Sequence, residues 1–200
     1  SAGSDVFDGG AGSDTIDYSS LSGVTSIDID LGGSSDATVT VNGVAGNDTV
    51  RNIENVIGTS GADTITGDSQ DNTLTGLGGD DTLNGLGGDD TILAGDGDDT
   101  IIASSGGDEI DGGAGTDRVT YLGLAGVTSI DVTLNGASDA TVTVNGGTND
   151  TLRNVEDVTG TSGADSITGD GNANVLEGEG GNDTLAGRGG DDTLDGGAGT

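Results

Sequence analysis

The chain has 200 residues, 36 of them acidic and four basic, for a formal net charge of −32; glycine fills 43 positions, and Pro, Cys, His, Met and Trp are absent. Charge of this sign repels nucleic acid and anionic membranes. No stretch approaches the roughly 20 apolar residues of a spanning helix, and the lack of cysteine excludes disulfides and fits exposure outside the cell.

By composition alone the chain sorts with disordered acidic segments. Its Asp and aliphatic residues, however, recur in fixed register. The opening SAGSDVFD lacks the first Gly of a nine-residue block, which residues 9–17 complete as GGAGSDTID. No basic start with an apolar centre marks a secretory leader there. Residues 18–57 break the period. Within them Ile27, Ile29 and Leu31 alternate with Asp28 and Asp30, a strand pattern, and Thr38-Val39-Thr40-Val41 reads as a second strand closed by the Asn42-Gly43 turn signal. Val50, Ile53 and Val56 form a third apolar set, read as strand or irregular coil because Asn and β-branched residues are poor helix formers.

Residues 58–120 then hold seven blocks without a gap: GTSGADTIT, GDSQDNTLT, GLGGDDTLN, GLGGDDTIL, AGDGDDTII, ASSGGDEID and GGAGTDRVT. Residues 121–159 repeat the first spacer: GVTSID recurs at 126–131, SDATVTVNG at 138–146, and TVRNIENVI returns as TLRNVEDVT with Leu152, Val155 and Val158. Four further blocks fill 160–195, and GGAGT stops inside another, as expected of a piece of a longer protein. A fixed short period predicts a solenoid whose coils bury their apolar faces against one another, and one continuous solenoid is expected over residues 1–200.

Within a block the positions divide their work. Position 8 holds Ile16, Ile65, Leu74, Leu83, Ile92, Ile101, Ile110, Val119, Ile167, Leu176, Leu185 and Leu194; a short strand centred there points it inward. Gly at positions 1, 2 and 4 permits positive φ and close approach of backbone to a ligand. Position 6 supplies a carboxylate from Asp5, Asp14, Asp63, Asp81, Asp90, Asp99, Asp108, Asp117, Asp165, Asp183 and Asp192, with Asn72 and Asn174 as departures expected to weaken their sites. The carbonyls predicted to join them are those of Gly9, Gly10, Gly12, Gly76, Gly78, Gly85, Gly87, Gly95, Gly97, Gly112, Gly113, Gly115, Gly178, Gly180, Gly187 and Gly189. An all-oxygen donor set suits Ca²⁺ better than Mg²⁺, and the lack of His and Cys argues against structural zinc.

These blocks resemble the hemolysin-type calcium-binding repeat of RTX proteins, a family that includes bacterial toxins, protease tails, lipases, alginate epimerases and adhesins. The resemblance covers residues 1–17, 58–120 and 160–200, and NIENVIGTSGAD looks like the segment that leads into such arrays. It implies an all-β fold, a right-handed parallel β-roll with essentially no α-helix, in which two blocks make one 18-residue coil and Ca²⁺ lies between stacked turns. On that scheme block pairs starting at 58/76, 76/94, 94/112, 67/85, 85/103, 160/178, 169/187 and 178/196 make about eight calcium sites, whose ions would offset about 16 of the negative charges. It also implies a module that folds on Ca²⁺ outside the cell, exported by type I secretion, as a structural part of a larger secreted or surface protein.

Two other roles are open: the accessory tail of a secreted protease, lipase or polysaccharide-modifying enzyme, and an ice- or glycan-binding adhesin face built on the position-7 threonines. The position-5 residues Asp80, Asp89 and Asp98 are expected to face solvent, Arg51 and Glu54 to form a local anchor, and Tyr18 and Tyr121 to cover the end of the aliphatic ladder. Catalysis is not expected without His, Cys or Lys as base or nucleophile.

Overall fold

A computed structural model describes residues 3–199; among them are 21 short strands and no helix. The strands form two sheets, of 11 and 10 strands. Through the central run successive blocks alternate between sheets, so each strand pairs in parallel with the one two blocks on. Ile65, Leu83, Ile101 and Val119 are in register in one sheet, and Leu74, Ile92 and Ile110 in the other. The coil is therefore 18 residues, and the fold is a parallel β-roll. The three-residue strands leave room for one inward side chain each, and position 8 supplies it. Ile65, Leu74, Leu83, Ile92 and Ile101 are all completely buried, and the two aliphatic rows face each other between the sheets. Toward the C-terminus the row thins out, with Leu194 46% exposed.

Each spacer is a three-stranded meander inserted into one sheet. In the first, Ser26–Asp30, Ala37–Asn42 and Asp48–Arg51 pair antiparallel with one another. The outer two pair parallel with the roll, Phe7 opposite Val50 and Ile29 opposite Ile65. The other sheet passes the insertion directly, with Ile16 opposite Val56. The second spacer, Ser129–Thr133, Ala140–Asn145 and Asp150–Arg153, repeats the arrangement. It does so in the opposite sheet, because the seven intervening blocks are an odd number of half-coils. The set Val50, Ile53, Val56 is two strands split by a tight turn, in which Asn52 takes a φ of 51° and Ile53 is buried.

Candidate metal centres

From Asp63 onward each position-6 carboxylate is tied into the roll through Oδ1. Asp81 Oδ1 accepts the backbone N–H of Asp63 at 2.7 Å, Asp99 Oδ1 that of Asp81 at 2.7 Å, and Asp117 Oδ1 that of Asp99 at 3.0 Å. On the other edge Asp90 Oδ1 accepts from Asn72 and Asp108 Oδ1 from Asp90. Asp183 and Asp192 do the same for Asp165 and Asn174. The ladder uses one oxygen and leaves the second to the turn, which takes one of two forms.

In the open form the second oxygen has no donor. Oδ2 of Asp14, Asp81, Asp90, Asp99, Asp117 and Asp183 is buried without a hydrogen-bond partner. These turns have positive φ at positions 2 and 4: Leu77 and Gly79, Leu86 and Gly88, Gly95 and Gly97, Gly113 and Gly115, Glu179 and Gly181, Gly10 and Gly12. Positive φ at position 2 turns its N–H away from the carboxylate. Position 4 must be glycine for a second reason as well: a Cβ on Gly97 or Gly115 would strike the carbonyl of Gly79 or Gly97 in the preceding coil. Beside position 1 the orphaned oxygen meets a carbonyl of the next coil. A Cβ on Gly76 would fall on both Asp81 Oδ2 and the carbonyl of Ala94. A carboxylate oxygen and a backbone carbonyl meeting where no proton is supplied begin a donor set for a hard cation. Among the described residues no three acidic side chains gather into a metal cluster, so most ligands in such a turn must come from backbone.

In the closed form the second oxygen is already satisfied. Asp63 Oδ2 accepts the backbone N–H of Thr59 at 2.6 Å and its Oδ1 the Thr59 hydroxyl at 3.0 Å; Thr161 does the same for Asp165. The Ser104 hydroxyl donates to Asp108 Oδ2 at 2.9 Å. Asn72 and Asn174 accept the N–H of Asp68 and Asp170, while their Nδ2 groups donate to the carbonyls of Glu54 and Glu156. The spacer turn above them presents a carbonyl rather than an N–H, which an Asp could not satisfy, so the amide is structurally required there.

In four of the unpaired carboxylates burial disfavours the charged form. Burial, with neighbouring carboxylates adding to it, raises the pKa of Asp81 and Asp117 to about 7 and of Asp90 to about 6. Asp99 is raised for the same reason.

The eleven predicted carboxylates thus divide. Asp14, Asp81, Asp90, Asp99, Asp117 and Asp183 carry a free buried oxygen, Asp63, Asp108 and Asp165 sit in closed turns, Asp192 keeps the open backbone of Arg188 and Gly190 at partial exposure, and Asp5, whose N–H donates to Asp48 Oδ1, belongs to a turn that begins outside the described residues. The predicted carbonyls of Gly76, Gly85 and Gly187 lie beside the position-6 side chains of the preceding coils, and those of Gly95 and Gly97 against Gly113 and Gly115.

Sequence reasoning missed several partners. Asp48 and Asp150 continue the ladder inside the spacers, accepting from Asp5 and Asp108, and their second oxygens take the hydroxyls of Tyr18 and Tyr121 at 3.0 and 2.9 Å. The conserved-looking pair of the two spacers does not meet: Arg51 bridges Asp8 and Asp36, and Glu54 instead accepts the N–H of Asp14. The exposed position-5 residues form an outer ladder in which Asp80 and Asp98 accept the N–H groups of Asp98 and Thr116. Among the described residues the longest row of aligned threonines is Thr64, Thr82 and Thr100, bounded by Asp28 and Arg118, and elsewhere they align in pairs such as Thr73 with Thr91.

A family model described as the RTX calcium-binding nonapeptide repeat (4 copies) matches residues 1–20, 57–92, 85–119, 155–185 and 168–200. No curated protein matches the chain.

Proposed function

Since the chain belongs to the family of RTX calcium-binding nonapeptide repeats, we propose that it is a single calcium-assembled solenoid within a larger secreted or surface protein, unfolded where calcium is scarce and folded outside the cell. The chain is a calcium-binding repeat module. The observation that carries it is the set of buried, donorless Oδ2 atoms in turns of positive φ. Four of these, on Asp81, Asp90, Asp99 and Asp183, fall in the stacked pairs 76/94, 85/103, 94/112 and 178/196, which we assign as the strong nonapeptide sites. The pairs 58/76, 67/85, 160/178 and 169/187 begin with closed turns and are assigned as weak or silent.

Calcium would supply the positive charge these turns lack. The chain's residues do the rest: Oδ1 fixes each carboxylate on the neighbouring coil, Oδ2 and carbonyls converge on one point, and the aliphatic row closes behind them. Binding energy then becomes folding energy, because the donors converge only in the folded coil. Extracellular calcium modules work at roughly 0.1–1 mM, so the range in which the roll assembles is outside the cytosol. The module suits a structural array and the tail of a secreted enzyme equally; the threonine rows are at most three strands long.

Far-UV circular dichroism during a calcium titration, followed by EGTA, tests the reading. The expected outcome is strand signal that rises with calcium and disappears on chelation. Strand content unchanged by EGTA would overturn calcium-coupled folding.

A further inference from the structure

Two of the six orphaned oxygens face no nonapeptide at all. Asp14 and Asp117 lie at the end of a run of blocks, and the next coil on their edge is a spacer. There the six-residue turn is replaced by a three-residue one, Asn52-Ile53-Glu54 or Asn154-Val155-Glu156. It docks in the same manner as a full turn. Glu54 Oε2 accepts the N–H of Asp14 at 2.9 Å and Glu156 Oε2 that of Asp117 at 3.0 Å, so the longer side chain takes the ladder role that Asp plays elsewhere. The N–H groups of Glu54 and Asn55 donate back to the Asp14 carbonyl, and those of Glu156 and Asp157 to the Asp117 carbonyl.

The asparagine of the short turn is pinned on three sides. Its N–H donates to the carbonyl of Gly33 or Gly136, its Nδ2 donates to Asp8 or Asp111 at 2.7 Å, and its φ is 51° in both copies. That conformation aims its carbonyl at the carboxylate of the block: a Cβ on Gly9 would fall on the Asn52 carbonyl and 2.9 Å from Asp14 Oδ2, and one on Gly112 on the Asn154 carbonyl and 2.7 Å from Asp117 Oδ2. In a nonapeptide site Ala94 fills the same place beside Gly76. Asp117 is completely buried with Oδ2 unpartnered. At the first copy an open groove lined by Gly10, Gly12, Asn52, Glu54 and Asp68 gives water access for the remaining ligands.

We infer that the two block–spacer junctions, Asp14 with Asn52 and Asp117 with Asn154, are additional calcium sites completed by the spacer instead of by a second nonapeptide. The inference rests on the calcium reading above. It makes the docking of each meander onto the preceding coil calcium-dependent.

Ions bound per chain at saturating calcium, measured by equilibrium dialysis on the whole chain, test it. Asn is the replacement to use, because it removes the charge and offers an amide donor to the facing carbonyl, as Asn72 and Asn174 do to those of Glu54 and Glu156. Asp14→Asn should lose one ion and Asp14→Asn with Asp117→Asn two, with strand signal retained. An unchanged count in both variants, alongside a loss of one ion in Asp99→Asn, would overturn the junction sites and leave the nonapeptide sites standing. No calcium bound by the unmodified chain would overturn the family-level reading itself. Should Asp117→Asn fail to fold, lanthanide-soaked crystals of the unmodified chain decide: anomalous density between Asp117 Oδ2 and the Asn154 carbonyl supports the site, and density at Asp81 and Asp99 without it refutes it.

Discussion

The coil at 58–75 and the coil at 76–93 stack directly, share a register and bury the same aliphatic row, yet one is closed and the other open. They part at position 2. Thr59 and Asp68 keep ordinary φ and cap the position-6 side chain with their own N–H; Leu77 and Leu86 adopt φ of 81° and 70° and leave it bare. The backbone dihedral at position 2 therefore separates turns whose position-6 side chain is capped by protein from turns that leave one oxygen bare. The closed coil directly follows the first spacer, and its counterpart at 160–177 follows the second. Each meander with its closed coil is a segment whose polar groups are satisfied without metal, set between stretches that need it.

Calcium removal should separate the two kinds of coil most sharply. A site saturated at 100 times its Kd contributes about 2.7 kcal/mol. Hydrogen exchange in EGTA should therefore strip amide protection from 76–102 by on the order of 100-fold per site lost, while 58–75 retains more of its own. Equal loss everywhere would erase the distinction.

Acid should reverse the dependence. Asp81, Asp90 and Asp117 have pKa values of about 7, 6 and 7 in the metal-free fold, above the ordinary value of roughly 3.9 for unfolded Asp. Stability from a raised carboxylate pKa is fully present below the unfolded value and is lost as pH rises through the folded one. Metal-free chain should thus hold more strand near pH 4 than at pH 8, and half-assembly should need more calcium at pH 5.5 than at pH 7.5 because protons and calcium compete for the same oxygens. Circular dichroism in EGTA and in graded calcium checks both halves.

Much of this was legible in the sequence. The period, the inward row at position 8 and the carboxylates at position 6 follow from spacing, and the parallel roll from the family resemblance that these blocks carry. The closed turns lie outside the nine-residue pattern, although their signal is in the sequence: Thr59, Thr161 and Ser104 place a hydroxyl where the open turns have Gly, Leu, Glu or Arg. Asn72 and Asn174 looked like weakened Asp, but their amide answers a carbonyl of the short spacer turn, a partner that no nine-residue pattern contains. The meanders escaped because their strands pair with coils some 40 residues away in sequence, beyond any local periodicity.

Converting one form into the other is a finer test. Thr59→Gly removes the hydroxyl and frees position 2 to take positive φ. The metal-free coil should lose about 1 kcal/mol, the net worth of a hydrogen bond, and the chain should gain one bound ion at Asp63. An unchanged ion count would mean that position 2 does not control the choice.

The smallest effect concerns the strain in the open turns. A non-glycine residue in the left-handed region costs about 1–2 kcal/mol, and Leu77 is held there with its side chain 40% exposed. Leu77→Gly removes that strain and gives up little packing, but glycine also loses about 0.5–1 kcal/mol through the entropy of the unfolded chain. The balance is a gain of at most about 1 kcal/mol, read as a small rise in the urea midpoint at saturating calcium. Leu93→Gly is the control: Leu93 is similarly exposed at 37% but lies in the strand Thr91–Asp96 without positive φ, so the same substitution should cost roughly 1 kcal/mol of stability and lower the midpoint. If the two variants shift in the same direction, position 2 stores no strain, and the open turn is held by its ion alone.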